Sequence, residues 1–172
     1  MSDLHPKTLV LVEHEGQAAR ALEMLRAEPG EVRLLALSPG VMRAFDEAGA
    51  PYAVPEDHCD PSESSRRGLE NYALLEECGR KIDALLPTLP EGLRLNPVYL
   101  HYYRVKILID SIGLRVMELA AVFRGEAPRR IVILAYADDP LWADASELQL
   151  LTIDGPVYAA VAPLVAAALS IP

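Results

Sequence analysis

Acidic side chains recur where apolar runs end in this 172-residue chain. Glu13 and Glu15 flank His14 directly after the run TLVLV, Glu56 and Asp57 follow a weaker run, and Asp138 and Asp139 follow IVILA. In open α/β sheets ligands collect at the carboxyl ends of the strands, so these are the positions where side chains contact a ligand. His14, Glu15 and Gly16 are the first candidate contacts, joined by Ser38 in the break SPG and by Asp138. Asp139 precedes a proline and reads as the start of a turn. Two readings stand for the acids: convergence on one cleft, or solubilising termini, with Glu13 and Glu15 favouring the positive end of a helix dipole. His14 likewise reads as a ligand contact or as a surface or capping histidine.

Much other chemistry is excluded. A dinucleotide fingerprint needs GxGxxG and a phosphate loop needs GxxxxGK[ST]; the turn after the first run has a single glycine. There is no GxSxG elbow, no HExxH helix and no cysteine beside a plausible histidine partner. A phosphoacceptor receiver domain requires a lysine after its fifth strand, and no lysine follows Lys106. Cys59 and Cys78 form neither a CxxC pair nor a metal-ligand cluster with the histidines, so reduced thiols are expected, with no metal and no cofactor. Net charge is −9 without a basic block, which makes nucleic acid an improbable partner. No apolar signal-peptide core opens the chain, and the apolar stretch 158–171 is short and broken by Pro163, so no transmembrane span is expected and the localisation reads as cytoplasmic.

The elements that must position these residues follow from pattern. TLVLV shows no polar alternation, as expected of a strand covered on both faces. A polar turn and a helix bearing Ala18, Ala21, Leu22 and Leu25 follow, which begins a βαβ unit. A second strand spans 32–37, a short helix ends at Gly49, and a weak strand occupies 51–54 near an edge because proline limits its pairing. A helix over 66–86 repeats Leu69, Tyr72, Leu75, Cys78, Ile82 and Leu85, which predicts one buried face. The helix over 98–124 carries a stripe of Arg104, Ser111, Arg115 and Glu118, a patch of Lys106 and Asp110, and apolar residues on two faces. One face suits the sheet; the other predicts a further helix, a following domain or a subunit partner. Strands are predicted at 131–135 and 147–153, then a final helix capped by Asp154 and interrupted or restarted at Pro163. The fold class is α/β, a Rossmann-like three-layer α/β/α domain over 1–172 with a mostly parallel sheet of about five strands.

Two resemblances attach to these residues. GLENYALLEECGRKIDALL, followed by YLHYYRVKILIDSIGLRVMELAAVFRGEAPRRIVIL, resembles the N-terminal region of bacterial surface-carbohydrate biosynthesis proteins and glycosyltransferases of the two-domain GT-B architecture. The ending DGPVYAAVAPLVAAAL resembles the point where such an N-terminal domain gives way to the rest of the protein. The resemblance implies an acceptor-side or structural domain that takes a sugar or sugar-lipid acceptor. A C-terminal domain, missing here, would hold the sugar nucleotide, so the 172 residues are not expected to be active alone. KTLVLVEHEG is also similar to the opening of the electron transfer flavoprotein alpha subunit, whose flavin region lies in a C-terminal domain absent from this sequence. The competing expectation is a non-enzymatic interaction domain that dimerises through the 98–124 helix.

Overall fold

The computed structural model describes residues 8–85, 102–134 and 157–172. The chain divides into two compact units, one formed by Met1–Cys59 with Arg115–Pro172 and the other by Asp60–Leu114.

The first unit is built on strands β1 (Thr8–Val12), β2 (Val32–Ala36), β3 (Tyr52–Ala53) and β4 (Arg130–Ile133). They form a wholly parallel sheet in the order β3-β2-β1-β4. The fold is therefore Rossmann-like α/β, with four strands among the described residues where about five were expected; the remaining candidate, 147–153, lies outside them.

Successive side chains of a strand point to opposite faces, and β1 shows why its run lacks polar residues. Leu9 and Leu11 pack with Leu119, Val122 and Phe123 of α4 (Tyr102–Glu126) and with Tyr158, Val161 and Val165 of α5 (Val157–Ala168). Val10 and Val12 pack on the other side against Ala18 and Ala21 of α1 (Ala18–Ala27) and Val41 and Phe45 of α2 (Pro39–Glu47). Neither face meets water, so alternation would place a polar group in a core. Ser38 caps α2, with Pro39 in the first turn, where its missing amide costs no helical bond. Gly49 ends α2 at φ +62°. Its amide reaches the Asp46 carbonyl and that of Ala50 reaches Phe45, both at 3.0 Å, a Schellman closure that glycine makes without a Cβ penalty.

The last helix differs from expectation. α5 runs unbroken through Pro163, whose side chain is exposed, so the proline ring meets water instead of the core. The proposed cap Asp154 lies outside the described residues.

The second unit contains α3 (Pro61–Leu85) and the first part of α4. Within it the Asn71 amide donates to Asp110 at 3.1 Å, and Lys106 forms an ion pair with the same carboxylate. Gly113 gives Asn71 room, since a Cβ there would lie 3.3 Å from the Asn71 amide nitrogen. The helix expected over 66–86 is present, but its buried face is not. Of the residues assigned to that face Leu75 is buried, whereas Leu69 is 75% exposed and Tyr72, Cys78 and Ile82 are also exposed. The reason is local: among the described residues of this unit one helix is available to cover another, and it shields a narrow arc.

Candidate functional site at the carboxyl edge of the sheet

The chain passes from β1 to β2 to β3 in one direction and places β4 on the other side of β1. The sheet thus reverses direction between β1 and β4, the position where such folds open a crevice at the strands' carboxyl ends. The residues that follow Val12 lie at that position.

Gln17 closes it. Its side-chain oxygen accepts from the amides of Glu13 at 2.9 Å and His14 at 3.0 Å, and its amide group donates to the Leu134 carbonyl at 2.8 Å, just past β4. One buried carboxamide therefore satisfies three backbone groups on the two adjoining strand ends. His14 completes the turn, because its Nδ1 accepts from the Gly16 amide at 3.1 Å, making a reciprocal capping box with Gln17.

Glu13 turns the other way. Its two carboxylate oxygens accept the Tyr158 amide at 3.0 Å and the Ala159 amide at 3.1 Å, two donors in the first turn of α5. A negative group here also meets the positive end of the helix dipole. Glu15 lies over the first turn of α2, where a Cβ on Gly40 would come within 3.2 Å of its carboxylate. The side-chain oxygen of Ser38 is 3.5 Å from the Val41 amide. The turn after β1 and the turn after β2 thus meet through Glu15 and Gly40.

Beneath this edge, Tyr158 donates its phenol hydrogen to Glu118, and Arg115 binds Glu118 at 3.1 Å while lying 4.8 Å above the Tyr158 ring. Burial, and then the hydrogen bond and negative charge of Glu118, hold the phenol proton well above the ordinary tyrosine range; Arg115 pulls the other way and Glu56 adds to the rise.

No protein-family model matches the chain, and comparison with curated proteins and with solved structures likewise gives no match.

Of the residues expected to line a site, His14, Glu15 and Gly16 lie together and exposed, and Ser38 is brought near them at the start of α2. Asp138 lies outside the described residues. Asp57 is turned to local work, accepting the Val54 amide at 3.2 Å. Sequence reasoning missed Gln17, although the spacing His14-x-x-Gln17 is a variant of the capping box and marks it. It also missed the partnership of Glu118 with Tyr158, for which no local pattern exists.

The arrangement has a chemical bias. Helix N-termini at this edge are ready-made anion sites in related architectures. Here a carboxylate of the chain itself takes the N-terminus of α5, and another lies over that of α2. A phosphate entering at either place would meet a negative group already there. Hydroxyl-rich neutral ligands meet no such penalty, since a carboxylate accepts their hydrogen bonds and His14, whose Nδ1 accepts the Gly16 amide, presents Nε2 as a donor. Among the described residues no three His, Cys, Asp or Glu side chains gather to hold a metal ion, and no helix is long and apolar enough to cross a membrane.

Proposed function

We propose that the chain is the acceptor-side or structural domain of a GT-B-type glycosyltransferase in surface-polysaccharide assembly, not catalytic by itself. His14, Glu15, Gly16 and Ser38, together with Asp138, contact a sugar or sugar-lipid acceptor. The observation that supports this reading is the placing of carboxylates at the helix N-termini, Glu13 bonded to the first turn of α5 and Glu15 lying over that of α2. A donor-holding domain keeps such a terminus open for the diphosphate of a sugar nucleotide, whereas an acceptor domain needs hydroxyl-directed contacts.

Amide chemical shifts of the isotopically labelled chain test it. Titration with a short oligosaccharide acceptor is expected to move the amides of Glu15 and Gly16, and a nucleoside-diphosphate sugar is expected to leave them in place. Tight binding of the sugar nucleotide at this edge overturns the acceptor assignment. In parallel, His14→Ala and Asp138→Ala are expected to weaken acceptor binding with unchanged circular dichroism; unaltered affinity in both removes them from the site.

A second reading, a non-enzymatic interaction domain engaging a partner through the 98–124 helix, draws support from Ile112 and Val116. They lie one turn apart on α4 and are both exposed. Gel filtration with light scattering separates the readings: a dimer abolished by Val116→Glu favours the second, and an oligosaccharide-binding protein whose oligomeric state Val116→Glu leaves unchanged favours the first.

A further inference from the structure

We draw no further inference here: the strongest candidate, the uncharged outer face of α5 formed by Ala160, Pro163, Leu164 and Ala167, is exposed, and nothing among the described residues shows what covers it.

Discussion

The carboxylate of Glu13 holds the amide of Tyr158 at 3.0 Å across 145 residues of sequence, tying the end of the central strand to the start of the last helix. Glu13→Ala leaves the Tyr158 and Ala159 amides without this acceptor and removes a favourable charge from the helix terminus. Loss of a helix N-cap costs about 0.5–2 kcal/mol. Urea unfolding should therefore show Glu13→Ala less stable by about 1–2 kcal/mol, and Glu13→Gln, which keeps an acceptor, less affected. Equal stability of all three proteins would show that the helix does not depend on this contact.

Gln17 is expected to be the less tolerant neighbour. Gln17→Leu preserves bulk but strands two amides and a carbonyl at the β1–β4 junction, a loss of about 2–3 kcal/mol. Gln17→Glu retains the acceptor for Glu13 and His14 but sets a carboxylate against the Leu134 carbonyl, so it too should destabilise. Against a typical domain stability of about 5–15 kcal/mol these losses are readily measured by denaturant titration.

Tyr158 gives a prediction in alkali. Its folded pKa is raised, chiefly by burial, so the stability linked to it is complete below the ordinary value of 10.0 and declines as the pH climbs beyond that. The ultraviolet titration of the phenols should leave Tyr158 un-ionised until the protein unfolds. Tyr158→Phe should lose about 1 kcal/mol at neutral pH, the worth of the bond to Glu118, yet show a shallower decline above pH 10. An equally steep decline in the variant would assign the alkaline transition to other groups.

A glycine near the end of α4 supplies a sign reversal. A Cβ on Gly125 would clash with Nδ1 of His58, whose Nε2 lies 3.2 Å from the buried Glu126 carboxylate that also binds Arg33 at 2.8 Å. Gly125→Ala must therefore displace His58 from Glu126 and should cost about 1–3 kcal/mol. In a His58→Ala background the clash is gone, and the same substitution should be neutral or stabilising by up to about 1 kcal/mol, because alanine is the better helix former. Additive effects in this double-mutant cycle would contradict the contact.

The strands were legible because burial on both faces writes itself into consecutive apolar residues. β1 falls where TLVLV stands and is buried throughout, whereas β4, its neighbour in the sheet, is only half-buried, with Arg130 exposed, and begins one residue earlier than the apolar run. Local closure at Ser38 and Gly49 was visible for the same reason: cap and turn chemistry depends on neighbours in sequence. The site was only half legible. His14 was weighed as a capping histidine, and it does cap its turn. Glu13 was read as an ordinary turn acid near a helix dipole. It does serve a dipole, but that of a helix far along the chain, which no local pattern encodes. The apolar repeat of α3 misled for the converse reason. Periodicity reports that a face is apolar, not that the same chain covers it.

The position of β1 inside the sheet also has a temporal consequence. Its β4 edge pairs Thr8 with Arg130, so one side of an almost wholly apolar strand has to wait for about 120 further residues. At synthesis rates of about 5–20 residues per second that interval is roughly 6–24 s. During it the nascent chain presents an unpaired, flat, hydrophobic border to its surroundings, the kind of template on which strands from neighbouring polypeptides add. Production of this protein should therefore be sensitive to crowded translation and helped by slower expression or by a holding chaperone, well before any question of the finished molecule's stability arises.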